Sequence, residues 1–124
     1  MSTEKHSKLV DLLLKRTREG ALDWRPSVDD DRYQVSFRDN TVRLYIVEDR
    51  ESGNPMIYVE LINDQGIVAE TINDEELDRN APKGDHHWYG QLSLLFQMAR
   101  RTALGSDKIL DEILSELEDD PFKM

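Results

Sequence analysis

The stretch "GDHHWYGQ" (84–91) sets two histidines side by side, with a carboxylate and two aromatic residues alongside. Imidazole beside carboxylate is the raw material of a metal site or of a general acid–base pair. Such a site would combine Asp85, one of His86 and His87, and a third ligand such as Glu75 or Glu76 folding across the intervening loop. The spacing argues otherwise. Consecutive residues on a helix point about 100° apart, so His86 and His87 cannot both turn toward one ion. Metal-binding helices place their ligands at i and i+3 or i+4, as in H-E-x-x-H, and the pair here has neither spacing. A simpler reading makes Asp85 a helix N-cap, the histidines first-turn residues, and Trp88 and Tyr89 the opening of an apolar stripe. On this reading no catalytic residue, metal ligand or cofactor is assigned. A metal-dependent or acid–base enzyme centred on Asp85, His86 and His87 is the alternative.

Other sequence signatures of catalysis are missing. There is no G-x-S-x-G elbow, no P-loop and no G-x-G-x-x-G following a strand. "VDDD" (28–31) offers oxygen ligands for a divalent cation, yet it lacks the central glycine and terminal glutamate of a calcium-binding loop. The basic runs "KRTR" (15–18) and "MARR" (98–101) are expected to pair with nearby carboxylates on helix surfaces.

The remainder of the composition narrows the function class. The 124 residues suffice for one domain with its own core, and 38% hydrophobic with 34% charged residues is a globular balance. With no cysteine, disulfide frameworks, thiolate zinc sites and thiol catalysis are excluded. The net charge of −10 is uneven: −1 over residues 1–31, −3 over 32–72 and −6 over 73–124. Nucleic acid and anionic membrane are poor partners for such a surface, because phosphates are bound by displacing their counterions with positive charge. No apolar run approaches the roughly 20 residues of a membrane span. Lys8, Asp11 and Lys15 interrupt the N-terminal "MSTEKHSKLVDLLLKR", which predicts a cytoplasmic protein.

The elements that would position any site follow from periodicity. A first helix is predicted over 3–19, with Leu9, Val10, Leu13, Leu14 and Thr17 on one side and Gly20 as its stop. "YQVSF" (33–37), "TVRLYIV" (41–47), "MIYVELI" (56–62) and "IVAETI" (67–72) read as four strands. An Asp39-Asn40 turn would oppose Phe37 to Val42, Val35 to Leu44 and Tyr33 to Ile46. For the last pair, a two-residue loop opposing Ile57 to Ile72 and Leu61 to Val68 is expected over a bulged loop opposing Glu60 to Glu70. Residues 73–85 read as a polar crossover. Two helices follow. The first, over 86–104, carries Trp88, Leu92, Leu95, Phe96, Ala99 and Ala103 as one stripe. Gly105 separates it from the second, capped by Ser106 or Asp107, in which Ile109, Leu110, Ile113, Leu114 and Leu117 recur as a second stripe. The predicted fold is a single α+β domain over 1–124, frayed over 1–4 and 119–124. It has an N-terminal helix, a four-stranded antiparallel β-meander and two C-terminal helices packed on one sheet face, in two layers.

Two apolar groups are left over once that core is assembled. Leu94 and Met98 lie on the side of their helix opposite the Trp88 stripe. Either the last helix folds back over them, the expected outcome, or they form an exposed spot for another protein. Tyr45, Val47, Tyr58 and Ile62 lie on the sheet face away from the helices, where aromatic residues with polar tips are common contacts. These features favour a non-enzymatic protein-interaction module that binds another protein or a second copy of itself. By size, acidity, absent cysteine and a meander-plus-helices plan, the chain resembles two groups by class only: acidic immunity proteins that block toxin enzymes, and acidic secretion chaperones. It departs from the chaperones in having its last two helices adjacent, with no strand between them.

Overall fold

The computed structural model describes residues 3–48, 50–79 and 88–119. Helix α1 (Thr3–Arg18) comes first, followed by strands β1 (Arg25–Pro26), β2 (Tyr33–Phe37), β3 (Asn40–Glu48), β4 (Pro55–Ile62) and β5 (Val68–Asn73). Helices α2 (Asp74–Arg79), α3 (Trp88–Ala103) and α4 (Ser106–Glu118) complete the chain. The α+β plan holds, with one correction. The sheet is a five-stranded antiparallel meander in the order β1-β2-β3-β4-β5, not a four-stranded one. The extra strand is two residues long, pairing Arg25 with Gln34 and Pro26 with Tyr33. A pair that short carries no alternation for the sequence to display.

The β2–β3 hairpin turns one residue earlier than expected. Phe37 pairs with Asn40, Val35 with Val42 and Tyr33 with Leu44, so Arg38 and Asp39 make the turn and Arg38 takes φ 57°. Relative to the expected pairing this is a slide of two residues. It leaves every side chain on its own face, because the strand repeat is two. The slide stacks Tyr33, Leu44 and Val59 across three strands in the buried layer, and it carries Phe37 to the sheet's end, 41% exposed.

The β4–β5 pairing also departs from expectation. Val59 opposes Ile72, Leu61 opposes Glu70 and Ile62 opposes Val68, with a register shift between Leu61 and Ile62. The connecting turn explains this. Asn63 Oδ1 accepts the N–H groups of Gln65 and Ile67 at 2.9 and 3.0 Å, and Gly66 takes φ 80°. That side-chain turn fixes where β5 can rejoin the ladder, and the irregularity absorbs the mismatch.

Residues 74–79, read from sequence as crossover, form α2. Asn73 caps it through Oδ1, which accepts the Glu76 N–H at 2.9 Å. Asp74 Oδ1 accepts the Ile57 N–H at 2.8 Å, so a side chain continues the ladder where β5 ends. Leu77 then enters the core.

One continuous cluster makes that core. Val10, Leu13 and Leu14 of α1 meet Leu44, Ile57 and Val59 of the sheet, and Trp88, Leu92, Leu95, Phe96 and Ala99 of α3 complete it. Those five α3 residues were the core of the stripe read from sequence, and the sixth, Ala103, packs at its margin. His6 Nε2 lies 3.0 Å from Glu70 Oε2, tying α1 to β5. Gly105, at φ 67° and ψ 37°, occupies the N-cap position of α4. It supplies no side-chain cap, so the expected cap at Ser106 or Asp107 gives way to it. Asp107 instead accepts a hydrogen bond from Arg101 Nη2 at 2.6 Å.

Candidate interaction surfaces

The histidine pair and Asp85 lie outside the described residues. Among the described residues, no three His, Asp or Glu side chains are grouped to hold a metal ion. An acidic cleft of about 350 Å³, lined by Asn54, Pro55, Asp74, Glu75 and Tyr89, contains one buried carboxylate. That carboxylate, Asp74, is engaged by the Ile57 N–H.

The open sheet face is a built polar and aromatic cluster. Tyr45 and Tyr58 oppose each other across β3 and β4, their rings stacked at 5.2 Å and 6° from parallel. The Arg32 guanidinium sits 4.1 Å from the centroid of the Tyr45 ring, a cation–π contact. Arg43 Nε donates to Glu60 Oε1 at 2.8 Å, and the Tyr45 hydroxyl donates to Glu60 Oε2 at 3.4 Å. Burial first, and the Glu60 charge second, push the Tyr45 hydroxyl above its usual pKa of 10.0, with Arg32 opposing them. Arg43 also reaches Ser27 Oγ at 3.5 Å. The tyrosines are therefore half-buried and largely engaged with their own sheet and the loop before β2. Val47 is exposed at the far end of this face, whereas Ile62 is only 8% exposed and offers little surface.

On α3, Leu94 remains 37% exposed while Met98 packs against the core cluster. The last helix does not cover Leu94. The two basic runs are largely satisfied within the chain. Arg100 Nε donates to the Tyr33 hydroxyl at 3.2 Å, Arg101 pairs with Asp107, and Arg16 pairs with Glu19.

Among the described residues, α4 carries the longest run of exposed apolar side chains. None of its residues is buried, and Ile109, Leu110, Ile113, Leu114 and Leu117 are each 45–60% exposed. At spacings i, i+1, i+4, i+5 and i+8 they share one face of the helix. Five acidic side chains against Lys108 occupy the remainder, for a net −4 over the element. The sequence displays this stripe, but its spacing is that of any helix packed on a core, and exposure leaves no separate mark on it. A smaller apolar surface lies on α1. Leu9, Leu12, Leu13, Arg16, Leu22 and Phe37 line a shallow pocket of about 120 Å³, in which Leu12 and Phe37 are exposed.

Compared with protein-family models, curated proteins and solved structures, the chain has no significant match. Among the described residues, no helix is long and apolar enough to cross a membrane.

Proposed function

We propose that this chain is a non-enzymatic protein-interaction module whose contact surface is the apolar face of α4. The observation that carries the reading is the exposure of five Ile and Leu side chains in one stripe, on a helix that buries none of its residues. Such a stripe makes a patch of roughly a few hundred Å², the range in which an apolar patch on a monomer is often functional. Leaving it in water forgoes roughly 25 cal/mol for each Å² that a partner would cover. An amphipathic helix laid into an apolar groove is a common mode of protein recognition, anchored at this spacing. A cytoplasmic setting belongs to the same proposal and is supported by a cysteine-free sequence, which needs no oxidising compartment.

The test uses Ile113→Glu combined with Leu117→Glu. At dilute protein the double variant should melt as the wild type does, within about 0.5 kcal/mol, because neither residue is buried. It should also lose the complexes that the wild type forms in an extract of its own cells. Two results would sink the reading: a loss of stability of the size expected for core residues, or an unaltered set of captured proteins.

A further inference from the structure

This inference rests on the reading of α4 as a contact surface and names its occupant. Among the described residues, α4 and the α1 pocket are exposed apolar surfaces on helices of opposite net charge, and one can serve the other. On α1, Lys5, Leu9, Leu12 and Arg16 recur at spacings that place them on one helix face, and Lys8 borders it. Glu4 and Asp11, the two acidic residues of this helix, stand four residues before and three after Lys8, off the Leu9/Leu12 line. The lysines and Arg16 are exposed. Arg16 at the pocket's rim is paired with Glu19 at 2.9 Å, so the free positive charge near the Leu9/Leu12/Phe37 pocket comes from Lys5 and Lys8, on a helix that carries five basic against two acidic residues. On α4 the apolar stripe is framed by acid, with Asp111 on one side and Glu116 on the other.

We propose that two copies of the chain form a reciprocal dimer, in which α4 of each copy lies over the Leu9/Leu12/Phe37 pocket of the other. The pocket's volume suits one aliphatic side chain, and the centre of the α4 stripe at Ile113 and Leu114 supplies it. Charge selects this pairing over α4 against α4, which would press two acidic rims together with a single Lys108 on each helix to offset them. Area points the same way. One helix-on-pocket contact of a few hundred Å² falls short of the roughly 800 Å² per partner of a stable complex. A two-fold arrangement uses both surfaces of both copies and doubles the contact while closing the assembly. The repulsion between two chains of net −10 acts over longer distances and is largely screened beyond about 8 Å at physiological ionic strength. The contact pairs lie within that distance.

The absence of native cysteine makes the geometry testable by cross-linking. Leu12→Cys and Leu114→Cys, placed in separate chains and mixed, should oxidise to a mixed dimer much faster than either variant links to itself. Both positions are exposed, and dilute melting curves should confirm that each variant folds. Wild-type protein should sediment as a dimer at high micromolar concentration, and Lys5→Glu with Lys8→Glu should weaken that dimer by about tenfold or more. Several outcomes overturn the proposal: a wild type that stays monomeric, faster linkage of Leu114→Cys to itself, or no effect of the charge reversals. Closure of a disulfide within one chain carrying both cysteines would do so too, since α4 would then cover its own pocket. A monomer that still captures other proteins through α4 would remove the dimer and leave the proposed function standing.

Discussion

Trp24 donates its indole N–H to Thr17 Oγ1 at 3.0 Å, and the same hydroxyl donates to the Leu13 carbonyl at 2.6 Å. Both side chains are buried, so the last turn of α1 is fastened to the segment that enters β1 by one hydroxyl serving two partners. Replacing Thr17 with Val keeps the shape and leaves the indole N–H buried with no acceptor. The expected cost is about 1–3 kcal/mol. Thr17→Ser retains the hydroxyl and should recover most of that loss. Urea unfolding of the two variants checks it, and equal midpoints would remove the role given to the hydroxyl.

Asp74 is the second polar group whose loss should be felt. Its carboxylate stands in for a strand at the end of β5 by accepting the Ile57 N–H. Asp74→Ala should cost about 1–3 kcal/mol, because a buried backbone donor loses its acceptor. Asp74→Asn keeps an acceptor oxygen and should cost less. Amide exchange at Ile57 reports the same contact directly, accelerating in the alanine variant before its neighbours on β4 do.

The Tyr45 hydroxyl gives the protein an alkaline signature. Its pKa is raised in the fold above the usual 10.0, chiefly by burial and then by the Glu60 charge. A group with a raised folded pKa contributes stability in full below its unfolded pKa and loses it as pH climbs through the folded value. Stability should therefore decline above about pH 10. Tyr45→Phe should flatten that decline, even though it loses the 3.4 Å hydrogen bond to Glu60 at neutral pH. Denaturation midpoints measured from pH 8 upward would decide the matter, and an identical alkaline slope in the phenylalanine variant would refute it.

Helix α4 should be the least protected of the long helices in hydrogen exchange. A 13-residue helix is marginal in water by itself, and α4 buries none of its side chains. Its amides should exchange well before those of α3 in dilute solution and slow down as protein concentration rises. Concentration-independent exchange at the α3 rate would show that the helix is held by the domain itself.

Much of the fold was legible because burial imposes a period. The α3 stripe from Trp88 to Ala99, the apolar side of α1 and the alternation in β2, β3 and β4 all declared themselves through spacing. The registers did not. A two-residue slide of β2 against β3 keeps Val35 and Val42 facing the core, so the pattern cannot separate the slid pairing from the unslid one. What separates them is whether Arg38 tolerates a positive φ, a local matter that a hydrophobic pattern cannot express. The short β1 and α2 were hidden for different reasons. β1 is too brief for periodicity, and α2 is set by the Asn73 cap and the Asp74 contact more than by its own sequence.

The candidate surface was half legible. Ile109 to Leu117 appeared as a stripe, but the expected use of that stripe, folding back over Leu94 and Met98, is not what α4 does. Apolar spacing says that a helix wants a partner and is silent on whether the partner lies in the same chain. On the open sheet face, Tyr45 and Tyr58 were singled out from sequence, whereas Arg32 and Glu60, which engage Tyr45, were not. Nothing in the spacing of residues 32 and 60 relates them to residue 45 until the ladder and the preceding loop are built.

The two margins of the meander are unequal, and this bears on how the protein would fail. On one side the terminal strand is two residues long and contains Pro26, which has no N–H to offer a neighbour. Such a margin is a poor template for intermolecular strand pairing. The opposite margin is β5, six residues long, with Val68 exposed at its start and Ile67 exposed just before it. Aggregation by strand addition should therefore favour β5, the longer of the two terminal strands. A lysine introduced at Val68 would be the economical protection, placed on the longer and more exposed margin of the sheet.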